Sequence, residues 1–177
     1  MAKKRLNQVS IRLEKEKSIL SDVEITNEKI AIYILSEYLK NMDKEYLLVV
    51  NLKENNSPIN FSIVSIGSIN QSIASTREIF KTAILSNASK IILVHNHPSG
   101  SLNPSKEDTK VTDMIIKAGE LMDIHLLDHI IVASGTDKYT NKYFSFRNKG
   151  ILNFDRIGLC TDYRDLTFSE TKVAEKK

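Results

Sequence analysis

The chain has 177 residues, 41% hydrophobic and 27% charged, which suits one globular domain with tails and a core large enough to hold it. A net charge of +3 and a pI near 8.8 are too mild to argue for nucleic-acid binding by themselves. The single cysteine, Cys160, excludes a disulfide framework and the His/Cys/Cys site of zinc deaminases. With no apolar stretch after Lys3, Lys4 and Arg5 and no run of transmembrane length, the expected setting is cytoplasmic, with no membrane partner.

Residues 1–24 read as a polar arm in which only Val9 to Leu13 alternate as a strand would, placed to pair with a sheet edge. Its lysines read as a solvated tail in preference to a nucleic-acid contact. A helix is expected from Thr26, with Ile25 and Ile30 as a hydrophobic staple and Ile30, Ile34 and Tyr38 as the buried stripe, Ala31 and Leu35 beside them. Glu45 to Leu52 reads as a strand apolar on both faces and therefore central. Asn55 to Pro58 reads as a hairpin loop and Phe61 to Ile66 as the next strand, ending near Gly67. Ser75-Thr76-Arg77-Glu78 has the pattern of a capping box, opening a helix that buries Ile79, Phe80, Ala83 and Ile84 and closes at Asn87.

Ile91 to Val94 is a short apolar strand that runs into His95-Asn96-His97 and is broken by Pro98-Ser99-Gly100. Residues two apart on a strand share a face, so both imidazoles can aim at one point while Asn96 faces away. Asn103-Pro104 then signals a helix start, and Val111, Met114, Ile115, Ala118, Leu121 and Met122 recur at helical spacing through about residue 122. Ser105 and Asp108 share a face of its first turn. If that turn folds over the strand end, Asp108 becomes a third ligand beside His95 and His97, with the Ser105 hydroxyl adjacent. Two histidines, a carboxylate and an open position make a hydrolytic metal site, for which Zn2+ is the default without a thiolate. Each residue also has a bland reading: a hydrogen-bonded strand-end histidine, a first-turn carboxylate favoured by the helix dipole, a capping serine.

Ile124 to Ala133 reads as a further buried strand, Ser134 to Asp137 as a turn, and Tyr143 to Phe146 as a last short strand. His125 and His129 are four apart; on a strand they share a face too far apart to bind one ion, so they are read as non-ligands, with Asp128 and His129 lining the cleft. Residues 148–177 read as a charged tail.

The spacing His-x-His-x7-Ser-x2-Asp resembles the JAMM motif of the JAB/MPN metalloprotease superfamily. The longer string HNHPSGSLNPSKEDT, with REIFKTAILSNA before it and LLDHIIV after it, is similar to the RadC-like branch, over about residues 20–147, with the domain itself expected at 25–147. The resemblance implies an α/β fold, a mixed sheet flanked by helices in a JAB/MPN-like, cytidine-deaminase-like three-layer arrangement. It also implies a zinc-dependent peptidase or isopeptidase, acting on a protein or peptide, whose base is a glutamate at the start of a central strand. Glu45 fits that position; Glu78 competes, but the capping pattern already explains it. Ser105 is assigned the oxyanion role by the motif register. Two other readings follow from the resemblance: a DNA-associated protein of the RadC type, linked to repair or mobile elements, and a catalytically silent scaffold.

Overall fold

The computed structural model describes residues 24–67, 75–133 and 143–150, together with residues 10, 12–16, 18 and 19 of the N-terminal arm. The expected strand at Val9 to Leu13 and the turn at Ser134 to Asp137 fall wholly or partly outside the described residues, as does nearly all of the C-terminal tail; Ser10, Arg12 and Leu13 are not in a strand. Five strands form one mixed sheet in the order β2-β1-β3-β4-β5. β1 (Tyr46–Leu52) pairs antiparallel with β2 (Pro58–Ile66) on one side and with β3 (Lys90–His97) on the other. β3 runs parallel to β4 (His125–Ala133), which is edged by the short β5 (Tyr143–Ser145).

A parallel β3–β4 pair needs a crossover, and α3 (Lys106–Met122) supplies it. α3 and α2 (Thr76–Leu85) cover one face, burying Leu47, Val49, Ile79, Phe80, Leu93, Val111 and Ile115. α1 (Glu28–Leu39) covers the other, over Leu48, Val50, Ile92, Val94 and Ile130. Covered on both faces, β1 and β3 are buried at nearly every position, which is why the apolar runs 47–50 and 91–94 do not alternate in sequence. A four-residue helix, α4 (Phe146–Lys149), follows β5 and closes the described chain. The fold is thus the expected α/β, JAB/MPN-like sheet flanked by helices. No described helix is long and apolar enough to cross a membrane.

Several helix details differ from expectation. The cap of α1 is Asn27, whose side chain accepts from the amides of Lys29 and Ile30 at 3.1 Å, so the helix starts past Thr26. The buried stripe is Ala31, Ile32, Leu35 and Leu39, about one residue round from the expected Ile30, Ile34 and Tyr38. Ser75 caps α2 without a side-chain bond, and Glu78 pairs with Lys81 instead of returning to the cap. Ile84 is 58% exposed. α3 begins two residues later than Asn103-Pro104 suggests, because Ser105 and Asp108 together make a stronger start. Leu121 and Met122 lie outside its buried face, where Thr112, Ile116 and Gly119 sit instead.

Gly119 faces the turn into β4, and a Cβ there would stand 2.5 Å from the Ile124 carbonyl oxygen. That neighbour is backbone and cannot rotate away. Gly119→Ala is therefore expected to destabilise, since overpacking of about 1–3 kcal/mol exceeds the roughly 1 kcal/mol alanine gains in a helix. Chemical denaturation reads this directly; an unchanged or higher midpoint would contradict the packing.

Candidate metal centre

The centre forms where β3 ends. Leu47 lies opposite His95, so carrying the antiparallel register on by two residues sets Glu45 opposite His97. Alternation puts Glu45, Leu47 and Val49 on the α2/α3 face, the face that His95 and His97 share with Ile91 and Leu93. The Glu45 carboxylate lies 3.8 Å from His97 Nε2. Its backbone is held from three sides. Asn96, pointing to the opposite face, accepts from the Tyr46 amide at 2.8 Å and donates to the Lys44 carbonyl at 2.9 Å. The Gly67 amide donates to the Glu45 carbonyl at 2.8 Å. Glu78 has no such place: it lies on α2, partly exposed, paired with Lys81 and outside the cluster.

α3 supplies the third side. Its first turn is a capping box: Ser105 Oγ accepts from the Asp108 amide at 3.0 Å, and Asp108 Oδ2 accepts from the Ser105 amide at 2.7 Å. The same carboxylate stands 3.4 Å from His95 Nε2 and 3.5 Å from His97 Nε2. Asp108 is thus both cap and site residue. Ser105 holds the role of a helix-start residue, yet as the acceptor in its cap bond its hydroxyl keeps a proton to donate.

The four side chains Glu45, His95, His97 and Asp108 bring one ligand atom each within 4.8 Å of one another. Tetrahedral zinc with bonds of about 2.0–2.1 Å spaces its ligand atoms by about 3.3 Å. His95 Nε2 and His97 Nε2 stand 3.0 Å apart, and the Asp108 carboxylate meets them through different oxygens, Oδ1 at 3.4 Å from His95 and Oδ2 at 3.5 Å from His97, all close to that value. Protonation agrees. His97 Nδ1 is 2.8 Å from the Ser101 carbonyl oxygen, which can only accept, so Nδ1 carries the proton and Nε2 can offer a lone pair. Burial alone would raise the Asp108 carboxyl, but its bonds from His97 and Ser105 and the nearby His95 outweigh that and hold it far below the usual carboxylate range. Hydrogen bonding to Asp108 raises His97, so without a cation a proton on His97 resolves the crowding. The donor set fits a divalent metal.

His129 was not anticipated in its actual position. Lys90 pairs with His125 and Ile91 with Leu126, but Ile92 pairs with Asp128, so an extra residue bulges β4 near Leu127. That bulge resets the alternation. It separates His125 and His129 onto different faces, contrary to the simple strand reading, and turns His129 toward His95, its Nε2 2.8 Å from His95 Nδ1. Neither is in the ligand cluster, as expected, but His129 is buried behind His95 and does not line an open cleft. Asp128 is not at the cleft either. It accepts from the Ser145 hydroxyl and the Arg147 amide, tying β4 to the start of α4. His125 sits at the far end of the strand beside Glu120.

A mixed sheet between helices, with such a cluster at the end of its central strand, defines a JAB/MPN-like domain. The family profile described as RadC-like JAB domain matches residues 25–151, and the chain belongs to that family. Similar relatives include a UPF0758 protein of Clostridium tetani, 45% identical over 72% of this chain and 54% of its own length. A second, from Caldanaerobacter subterraneus, is 41% identical over 74% of this chain and 54% of its own. A third, from Clostridium acetobutylicum, is 40% identical over 83% and 61% respectively. The chain spans about half the length of the curated relatives it matches.

Burial pushes His129 down to about 4 and lowers His95 in the same direction. A histidine whose folded pKa lies below its unfolded value near 6.5 binds protons more readily when unfolded, so its contribution is full above 6.5 and falls as pH drops toward 4. For His129 this amounts to on the order of 3 kcal/mol. Metal-free protein should therefore lose stability between pH 6.5 and 4, as denaturation midpoints across that range would show; a flat profile would contradict neutral burial of these rings.

Proposed function

We propose that this protein is a zinc-dependent hydrolase of peptide or isopeptide bonds. The observation that carries the reading is the convergence of the His95 and His97 Nε2 atoms and the Asp108 carboxylate within 3.0–3.5 Å of one another, with Glu45 facing them and 20% exposed. A zinc ion held by His95, His97 and Asp108 would supply Lewis acidity, polarising the scissile carbonyl and making a neighbouring water acidic near neutral pH.

Glu45 then accepts the proton of the attacking water and returns it to the departing amine, a role that needs a carboxylate close to, but not consumed by, the metal. Its 3.8 Å separation from His97 and its fixed backbone suit that task. The Ser105 hydroxyl, anchored by its cap bond, donates toward the carbonyl oxygen as negative charge develops. Depth of burial supports the assignment of roles: His95 and Asp108 are enclosed, whereas Glu45 and His97 border solvent, where a substrate enters.

His97→Ala and Asp108→Ala should each abolish stoichiometric zinc, measured by elemental analysis of the purified protein; zinc retained in both would defeat the assignment. Glu45→Gln should keep zinc and lose at least about 100-fold in hydrolysis of a peptide or isopeptide library. Undiminished turnover in Glu45→Gln would remove the glutamate from the mechanism.

A further inference from the structure

Behind the proposed metal site lies a buried chain of hydrogen bonds that none of the roles above uses. Thr112 Oγ1, on α3, stands 2.6 Å from the Asp108 carbonyl oxygen and 2.6 Å from His129 Nδ1. His129 Nε2 in turn stands 2.8 Å from His95 Nδ1, and His95 Nε2 faces the cluster. Thr112, His129 and His95 are each at most 1% exposed, so water does not interrupt the chain. Phe146 stacks on the His129 ring at 5.1 Å and 11° and fixes its plane.

The direction of every proton in this chain follows from its far end. A carbonyl oxygen carries no hydrogen, so a 2.6 Å contact between it and a hydroxyl requires the hydroxyl to donate. Thr112 has one proton and gives it to Asp108. It therefore only accepts from His129, whose Nδ1 must carry hydrogen. His129 is 1% exposed and, among the described residues, meets only Thr112 and His95 through its ring nitrogens, with no carboxylate at either nitrogen to hold a second hydrogen, so its Nε2 is bare and must accept from His95. His95 Nδ1 then carries the hydrogen, and His95 Nε2 is left with a lone pair aimed at the metal position. Reversing the chain would need an unprotonated contact between the Thr112 and Asp108 oxygens and would aim an N–H at the cation.

We propose that Thr112 and His129 are positioning residues that preset the His95 tautomer, so that its Nε2 is a ready metal ligand before any ion arrives. This rests on the metal-site reading, yet the two can fail separately. Thr112 bonds the backbone of the very residue, Asp108, whose side chain is the third ligand, so one hydroxyl couples the placement of two ligands. Most threonines in helices bond the carbonyl four residues back without further consequence; the oxygen of this one also accepts from an imidazole.

The test is long-range proton–nitrogen NMR of the histidine side chains in the full chain, first stripped of metal with a chelator and then loaded with zinc. Wild type should show His95 with a protonated Nδ1 and a hydrogen-free Nε2 in both states. Thr112→Val, of nearly the same shape, strands the His129 Nδ1 hydrogen and should invert both rings, putting hydrogen on His95 Nε2 in the metal-free state. Its zinc affinity, read by competition with a chromophoric chelator, should fall about 10–100-fold, while Thr112→Ser restores both tautomer and affinity. Metal-free wild type with hydrogen on His95 Nε2 would overturn the proposal, and that spectrum needs no variant to fold. A Thr112→Val protein of lower stability but unchanged tautomer and affinity would also overturn it. If the wild-type tautomer is as stated but zinc does not bind, the presetting stands and the hydrolase reading falls.

Discussion

The antiparallel pairing of β1 with β3, which sets Leu47 opposite His95, is the constraint on which the rest of the molecule depends. One register does two jobs. It interleaves the apolar residues of both strands into the α2/α3 core on one face and the α1 core on the other, and it carries Glu45 to the position facing His97. A slip of one residue would send Leu47 and Val49 to the wrong layer and turn Glu45 away from the cluster. The two strands are separated in sequence by β2 and α2, so no tight turn sets this register. Burial on both faces sets it, and the Asn96 side chain secures its end by bonding the backbone on either side of Glu45.

The centre also concentrates polar groups that a small domain would otherwise keep in water. His95, Asp108, Thr112 and His129 are all buried, and each is bound to a neighbour in the group. Buried polar groups are tolerated when their hydrogen bonds are complete, and the cluster departs from that only where ligand atoms face one another. His95 Nε2 and His97 Nε2 lie 3.0 Å apart with a carboxylate beside both. An arrangement of lone pairs this close is unfavourable unless something positive sits among them. Local departures from the rules of stability at one compact place are what a functional site looks like from the standpoint of folding.

Much of this was legible in the sequence, for identifiable reasons. His95 and His97 share a face because strands repeat every two residues, and Asp108 reaches them because it lies in the first turn of the next helix. Glu45 was readable over Glu78 because it precedes a doubly apolar strand, where a polar residue has nowhere to go but the sheet's end. The failures are equally specific. Thr26, Ser75 and Asn103 all have cap chemistry, but Asn27 and Ser105 won the caps at two of these sites, and at Ser75 the partner Glu78 went to Lys81. His129 was misplaced because the bulge near Leu127 inverts the alternation of β4, and a bulge leaves no composition signal in an apolar strand. Thr112 was invisible because a helical threonine announces nothing about what its hydroxyl oxygen accepts.

Two imidazoles and one carboxylate, from this strand end and helix start, are proposed to hold one metal ion. X-ray absorption at the zinc edge, on this 177-residue chain reconstituted with one equivalent of zinc, is the direct test. A four-coordinate shell of nitrogen and oxygen at about 2.0–2.1 Å, with outer-shell scattering from two imidazole rings, is the expected result. A shell containing sulfur, or one of oxygen alone without imidazole scattering, would contradict it.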